Sequence, residues 1–187
     1  HLSGPKTDYD FRRAAPARAA RAGMRTLSIG FLLGLGDWRA DALELGRHAL
    51  ELLRDHPGVE VGISLPRLRP YPGGFRAPQP VADRHFVQLL CALRLLLPRA
   101  AITVSTRENA ALRTAILPLG VTRMSAAART AVGARTLARD DATGVGQFEI
   151  EDERSLPEVM AAIREAGALP VLKDWIPADP ASVKTAR

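Results

Sequence analysis

The feature that most constrains the fold of this chain is a regular alternation of short apolar runs with amphipathic stretches. Apolar runs of strand length lie at residues 27–35, 59–65, 101–105 and 121–125. The first run is broken only by glycines and Ser28, which predicts a strand buried on both faces that opens into a loop. The segments between them carry apolar side chains at helical spacing, as at Phe86, Leu89 and Leu93. Strands that alternate with helices favour a parallel sheet, because parallel neighbours must be joined by a crossover connection. The sequence therefore predicts an α/β fold with four consecutive strand–helix units.

Local signals place further elements. Asp37 fits the N-cap of the helix that follows the first strand. Ser155-Leu156-Pro157-Glu158 has the spacing of a capping box and begins a C-terminal helix that closes at Gly167. A long loop is predicted over residues 126–146, with short extended segments at 147–150 and 169–172.

Four units are half of the eight that close a (β/α)₈ barrel, which typically takes about 250 residues. A free four-strand parallel sheet would leave two unpaired edges and an uncovered inner face. The chain also opens with His1 rather than Met, in a stretch without a helix or strand pattern. We therefore expect a partner segment outside the given sequence, and a small free-standing doubly wound sheet is the alternative. The expected boundaries are 1–150 for a half-barrel, 151–176 for a helix and short strand, and 177–187 for a tail.

Composition limits the class of protein. Of the 187 residues, 47% are apolar and 25% charged, which predicts one globular domain. No stretch approaches the roughly 20 uninterrupted apolar residues of a membrane helix, since Arg94 interrupts the best run. The first residues show no leader pattern, so a cytoplasmic location without membrane association is expected.

The basic residues do not form a patch. The net charge is +6, but Arg supplies 23 of the 26 basic residues, and they are spread along the chain. Nucleic-acid binding is therefore the least favoured function. The only cysteine, Cys91, excludes an intramolecular disulfide, and the four His show no metal-ligand spacing, so no metal site is predicted.

Charged and hydroxyl side chains follow the predicted strands. Arg67 and Arg69 come after the second strand, Arg107 after the third, and Ser125 ends the fourth. The carboxyl ends of parallel strands form one rim, where barrels carry their functional groups. A guanidinium presents a planar fork of donors that matches a carboxylate. These residues are thus candidates for carboxylate binding, with Arg107 ahead of Arg67 and Arg69, and structural ion pairs are the competing interpretation.

Eight short motifs occur in order along the chain. They are Gly4-Pro5-Lys6 with Asp8-Tyr9-Asp10, the run 30–39 (GFLLGLGDWR), the run 63–70 (ISLPRLRP), Ser105-Thr106-Arg107-Glu108, Pro118-Leu119-Gly120-Val121-Thr122, Met124-Ser125-Ala126, Gln147-Phe148-Glu149-Ile150 and Lys173-Asp174-Trp175. Together they resemble the latter half of the 2-iminoacetate synthase family, up to about residue 176.

The resemblance implies a fold and a reaction. The fold would be about half of a radical S-adenosylmethionine (SAM) (β/α)₈ barrel of the TIM type, with a C-terminal helical extension. Members of the family use SAM and a [4Fe-4S] cluster to cleave L-tyrosine to 2-iminoacetate and p-cresol, which supplies the thiazole of thiamine. The implied partners are the N-terminal half-barrel and thiazole synthase, and protein positioning would be the chain's main contribution.

The resemblance also assigns roles to residues. Arg107 matches the strand-end arginine that related lyases use on the substrate carboxylate, and Ser125 matches a nearby polar contact. Arg67 and Arg69 are weaker candidates for a cofactor or substrate carboxylate. The residues that match the strand lining the SAM adenine are Gly30, Leu32 and Gly34. No catalytic residue is assigned.

The chain departs from the family pattern in two places. The motif Cys-x-x-x-Cys-x-x-Cys has no counterpart, so the chain alone is predicted to be inactive. Family glycine, serine and tyrosine positions after the fourth strand are replaced by Ala127, Ala128 and Gly133-Ala134. Relatives that make hydrogenase ligands carry an extra C-terminal cysteine cluster, so its absence favours the thiamine branch. A non-catalytic docking module for thiazole synthase is the second hypothesis, and a nucleic-acid-binding protein is the third.

Overall fold

The computed structural model describes residues 3–4, 7–70, 74–130 and 148–172. It contains a four-stranded sheet in which neighbouring strands follow chain order and all pairs are parallel. The strands are β1 (Thr26–Gly30), β2 (Glu60–Ser64), β3 (Ala101–Val104) and β4 (Arg123–Met124). The predicted α/β architecture with four parallel strands is therefore confirmed.

Helices precede the first strand, connect the strands and follow the last one. They are α1 (Tyr9–Arg13), α2 (Ala15–Arg21), α3 (Trp38–Asp55), α4 (Asp83–Leu96), α5 (Ala110–Ala115) and α6 (Leu156–Glu165), with a 3₁₀ turn at Leu117–Leu119. The Asp37 carboxylate accepts the Arg39 N–H and begins α3 as predicted. The Ser155 and Glu158 capping box is also present at the start of α6. None of the described helices is long and apolar enough to cross a bilayer.

The core lies between one face of the sheet and the helices. Buried strand residues include Ile29, Val61, Ile63, Ile102 and Val104, and buried helix residues include Leu45, Ala49, Leu52, Phe86, Leu89, Leu90 and Leu93. Burying each large aliphatic side chain contributes about 1.5–3 kcal/mol, so this layer makes a large favourable contribution to folding. Residues in β1 alternate between exposed and buried. The expectation that the first strand is buried on both faces is wrong, because the helices cover one face only.

The other face of the sheet, here called the inner face, carries small and polar residues. The register places on it Thr26, Ser28, Gly30, Glu60, Gly62, Ser64, Ala101, Thr103 and Arg123. Arg123 passes close to Gly62, and its Nη2 lies 3.0 Å from Glu60 Oε1. A TIM barrel interior is usually filled by bulky branched side chains. This face is instead suited to line a polar cavity.

Two predicted extended segments differ from the structure. The described residues at 148–150 and 169–172 form no strand. Leu169 and Leu172 are 83% and 66% exposed, because neither the sheet nor a helix covers them. Most of the predicted loop 126–146, with Gly133 and Ala134, and the predicted tail 177–187 lie outside the described residues.

Candidate functional site

Backbone hydrogen bonds connect the loops at the C-terminal ends of the strands, and these loops form one rim. The Leu33 N–H donates to the Pro66 carbonyl at 2.9 Å, and the Leu68 N–H donates to the Leu33 carbonyl at 2.8 Å. The Ser125 N–H donates to the Val104 carbonyl at 3.2 Å. The loops after β1 and β2 are thereby held together, as are the ends of β3 and β4.

A buried ion pair lies under this rim. Arg67 is 7% exposed and Glu108 is 1% exposed. Arg67 Nε lies 3.0 and 2.9 Å from the two Glu108 oxygens, and Nη1 lies 2.6 Å from Asp83 Oδ1. Burial alone would lower the Arg67 pKa, but the carboxylates of Glu108 and Asp83 raise it. Arg67 is thus a charged structural residue with its donors already engaged.

Arg69 shares the same carboxylate. Its Nη2 lies 3.0 Å from Glu108 Oε2, and its Nε donates to the Arg107 carbonyl at 2.5 Å. Arg69 Nη1 also lies 3.4 Å from Glu151 Oε1. Two of the three predicted arginines therefore bind acidic groups of the chain itself, as the structural interpretation anticipated.

Arg107 differs from its neighbours because it has no acidic partner among the described residues. Its guanidinium carbon lies 3.5 Å from the centre of the Phe148 ring, and Nη1 donates to the Arg67 carbonyl at 3.3 Å. Partial burial lowers the pKa of Arg107. The nearby Glu108 carboxylate partly offsets this decrease, and the positive charge of Arg69 lowers the pKa further. A half-buried guanidinium that is not paired with a carboxylate among the described residues favours the binding of an anion such as a carboxylate.

Ser125 lies on the same rim. Its hydroxyl oxygen accepts the Thr106 N–H at 3.0 Å, and Thr106 directly precedes Arg107. The Ser125 carbonyl accepts a hydrogen bond from Arg113. Its hydroxyl keeps one hydrogen to donate. The structure therefore brings together four of the predicted site residues, namely Arg67, Arg69, Arg107 and Ser125.

A segment that we call the C-terminal strap, residues 148–154, crosses this rim. The Thr106 carbonyl accepts the N–H groups of Glu151 and Asp152 at 3.0 and 3.1 Å. The Asp152 carboxylate pairs with buried Arg113 and lies 2.7 Å from Arg154 Nη2. Burial raises the pKa of Asp152, but the hydrogen bonds from Arg154 and the charge of Arg113 outweigh it and hold the pKa at about 2. This carboxylate anchors the strap to the rim formed by the strand ends.

The three residues predicted to line SAM lie where β1 ends. A Cβ at Gly30 would come within 2.0 Å of the Ser64 carbonyl oxygen. Gly34 has a φ of +108°, and a Cβ there would lie 3.2 Å from that of Ala77. Both glycines therefore have reasons within the chain itself. Leu32 is partly buried between them, and contact of the three with SAM stays a prediction.

The side chains of this chain do not fit an iron–sulfur cluster. Cys91, the only cysteine, packs against the core from α4. The described residues contain no group of three or more metal-ligating side chains. Cluster ligation needs several thiolates, so these residues cannot supply it. Arg107 does fit a carboxylate, which both an amino acid and SAM carry.

Comparison with known families decides what this rim belongs to. The model of the Biotin and Thiamin Synthesis associated domain matches residues 64–169, which is more than half of the chain. The chain belongs to this family. All three rim arginines, Ser125 and the strap lie within the part that matches the Biotin and Thiamin Synthesis associated domain.

Individual relatives extend the match beyond that domain. The 2-iminoacetate synthase of Escherichia coli (strain K12) is 36% identical over 176 residues, which are 94% of this chain and 46% of the relative. The crystal structure of HydG, a maturase of the [FeFe]-hydrogenase, superposes with a TM-score of 0.83 at 33% identity over 92% of this chain and 37% of HydG. HydG from Carboxydothermus hydrogenoformans superposes with a TM-score of 0.80 at 34% identity, over 94% of this chain and 39% of that HydG chain. The chain spans about half the length of the Escherichia coli 2-iminoacetate synthase and less than half the length of each HydG chain.

Sequence reasoning missed several residues of the site. Glu108 occurs in a motif after the third strand, but nothing local indicates that it is the shared partner of Arg67 and Arg69. Phe148 occurred in a motif, but nothing local indicates that its ring meets Arg107 some 40 positions earlier. The pairing of Asp152 with Arg113 is equally remote in sequence. Only the strand-end position of the arginines was a usable signal.

Proposed function

We propose that this chain forms the C-terminal part of a 2-iminoacetate synthase, a radical SAM lyase that cleaves L-tyrosine to 2-iminoacetate and p-cresol for the thiazole of thiamine. The observation that carries the proposal is Arg107, a half-buried guanidinium at the rim without an acidic partner among the described residues. Identity to 2-iminoacetate synthase over 94% of the chain supports the choice of reaction. A cytoplasmic location and the absence of a nucleic-acid partner belong to the same proposal.

The sheet supports a shared barrel. Among the described residues β1 pairs only with β2, and β4 only with β3, so both outer edges are free. A groove of about 410 Å³ runs along β1 between α1, α2 and α3, lined by residues that include Ser28, Gly30 and Phe31. A strand of a second half-barrel would pair with β1 along this groove and close the polar inner face. That half would carry the cluster, and this chain without it is expected to be inactive.

Within the closed barrel, Arg107 would bind the L-tyrosine carboxylate through N–H groups that have no partner among the described residues, and Ser125 would donate a hydrogen bond nearby. Fixing the carboxylate sets the position of the Cα–Cβ bond, and positioning of this kind can contribute several kcal/mol to a reaction. Arg67, Arg69 and Glu108 would hold the loop that carries Arg107. SAM and the cluster supply the radical chemistry when they are bound.

Release of p-cresol tests the proposal. The chain is combined anaerobically with the cluster-bearing half of 2-iminoacetate synthase, SAM, a reductant and L-tyrosine. We expect p-cresol from the mixture and from neither part alone. Arg107→Ala should lower kcat/KM by about 100-fold or more, since a charged hydrogen-bonded pair is lost. Arg39→Lys, a change on the exposed start of α3, is the matched control. A cluster-loaded mixture that forms no p-cresol, beside an active full-length homologue, contradicts the proposal.

A second candidate, a docking module for thiazole synthase, is favoured by exposed leucines on the outer helices. Leu43 and Leu50 on α3 are 72% and 45% exposed, and Leu95 on α4 is 83% exposed. Leu43 and Leu50 are seven residues apart and share one side of α3. If the chain is a non-catalytic docking module, it should co-purify with thiazole synthase while the reconstituted mixture releases no p-cresol. Leu43→Asp with Leu50→Asp should then abolish the co-purification.

A further inference from the structure

The C-terminal strap is fixed to the loops of three strands. The Glu149 N–H donates to the Pro70 carbonyl, after β2, at 3.3 Å. The Thr106 carbonyl, after β3, accepts two N–H groups of the strap. The Thr130 hydroxyl, after β4, donates to the Phe148 carbonyl at 3.3 Å. The position of Phe148 is therefore set by the same loops that carry the candidate site.

Phe148 covers one face of the Arg107 guanidinium. The guanidinium carbon lies over the ring, 3.5 Å from its centre, which is van der Waals contact. The Arg107 Nη1 is engaged with the Arg67 carbonyl at 3.3 Å. With one face covered and one nitrogen anchored, the remaining N–H groups lie in a defined plane. A planar carboxylate can approach them along that plane.

We propose that Phe148 is a positioning residue for Arg107, which fixes the plane in which Arg107 receives the carboxylate of its ligand. This inference rests on the proposed function, in which that ligand is L-tyrosine. The ring also keeps water from one face of the guanidinium, which strengthens the attraction for an anion. Phe148 itself does not touch the carboxylate, so its effect is on orientation and affinity.

The anchor of the strap is separate from this contact. Asp152 holds the strap through Arg113 and Arg154, at the opposite end from Phe148. Replacement of the Phe148 ring by a smaller side chain should therefore leave the strap in place. This separation allows the stacking to be tested without removal of the whole segment.

The first test uses the chain alone and does not depend on lyase activity. Phenylglyoxal modifies arginine, and peptide mass spectrometry gives the labelling rate of each residue. Phe148→Leu should raise the labelling rate of Arg107 about fivefold, since a cation–π contact of this strength is lost. Labelling of Arg69 should change less than about twofold, and Phe148→Tyr should keep the wild-type rate at Arg107. Phe11→Leu is the matched control. It removes a similar contact, in which the guanidinium carbon of Arg18 on α2 lies 4.0 Å from the centre of the Phe11 ring on α1, and it leaves Phe148 and Arg107 unchanged.

An unchanged Arg107 labelling rate in folded Phe148→Leu would overturn the proposal. If that variant does not fold, the wild-type chain still decides: ring-current shifts of the Arg107 side-chain NMR signals support the stack, and unshifted signals refute it.

The second test measures function in the reconstituted mixture. Phe148→Leu should raise KM for L-tyrosine about tenfold, with kcat within about twofold, and Phe148→Tyr should restore KM. An unchanged KM would contradict the positioning role even if the labelling result is as expected. If wild type forms no p-cresol, the proposed function fails, while the labelling result still decides whether Phe148 orients Arg107.

Discussion

Arg67 and Arg107 carry the same charged group in different surroundings. Arg67 faces the carboxylates of Glu108 and Asp83, whereas Arg107 faces an aromatic ring and a backbone carbonyl. The first arrangement stabilises the fold, because a buried carboxylate without its partner is costly. The second leaves a cation available to a ligand.

Substitution of the two arginines should therefore have opposite consequences. Arg67→Ala leaves the buried Glu108 with one partner, and we expect the free energy of unfolding to fall by about 3 kcal/mol. Arg107→Ala should cost less than about 1 kcal/mol but abolish binding of L-tyrosine by the reconstituted enzyme. Urea unfolding and isothermal titration calorimetry measure the two effects. Equal loss of stability in both variants would show that Arg107 is also structural.

Asp152 makes the free energy of unfolding of the chain vary with pH in the acidic range. Its pKa is held at about 2, below its ordinary value of 3.8. The ionised form therefore stabilises the folded state, by about 2 kcal/mol where it is fully present, above about pH 5. This contribution is lost as the pH falls from 3.8 towards 2.

Urea unfolding of wild type and Asp152→Asn from pH 7 to 2 tests this effect. The variant should be less stable at pH 7, and the difference should shrink below about pH 4. Asp10→Asn, at an exposed position, should stay within about 0.5 kcal/mol of wild type at pH 7. A gap between Asp152→Asn and wild type that does not change with pH would refute the assigned role.

The rim composition could be predicted from the sequence, but the roles of its residues could not. Parallel strands bring their carboxyl ends together, which is enough to place Arg67, Arg107 and Ser125 at one edge. Which arginine is neutralised depends on where Glu108 points and on a strap some 40 residues later. Such long-range pairings leave no local pattern in the chain.

At the level of elements, β1 and β2 are in close contact where both strands end. The Gly30 Cα faces the Ser64 carbonyl at a distance that excludes any side chain. The helices α3, α4 and α6 were predicted well because spacing and caps are local signals. The strand at 169–172 was predicted wrongly, because an apolar run cannot tell whether a neighbouring strand is present.

Gly30→Ala tests the close approach of the strands. The added Cβ would lie 2.0 Å from the Ser64 oxygen, so the backbones must separate. We expect a loss of at least about 2 kcal/mol in the free energy of unfolding. Gly58→Ala is the matched control, since nothing lies within 4 Å of a Cβ there. Equal stability of the two variants would contradict the close approach of the strands at Gly30.

At the scale of the whole molecule, one face of the sheet packs against the helices, whereas the residues of β1 on the other face are exposed. Leu27, Ile29 and their neighbours are buried by the helices, while Thr26, Ser28 and Gly30 are exposed. A face of small and polar side chains gains little from packing on an apolar surface. It fits the wall of a cavity that is closed by further strands, as proposed above.

Amide hydrogen exchange, measured on the chain with and without the cluster-bearing half of 2-iminoacetate synthase, tests the half-barrel most directly. Addition of that half should slow exchange in the edge strands Thr26–Gly30 and Arg123–Met124 by about tenfold or more. Exchange in the inner strands β2 and β3 should change little. If the two halves bind but protection falls only on the outer surfaces of α3 and α4, the chain docks from outside and does not complete a barrel.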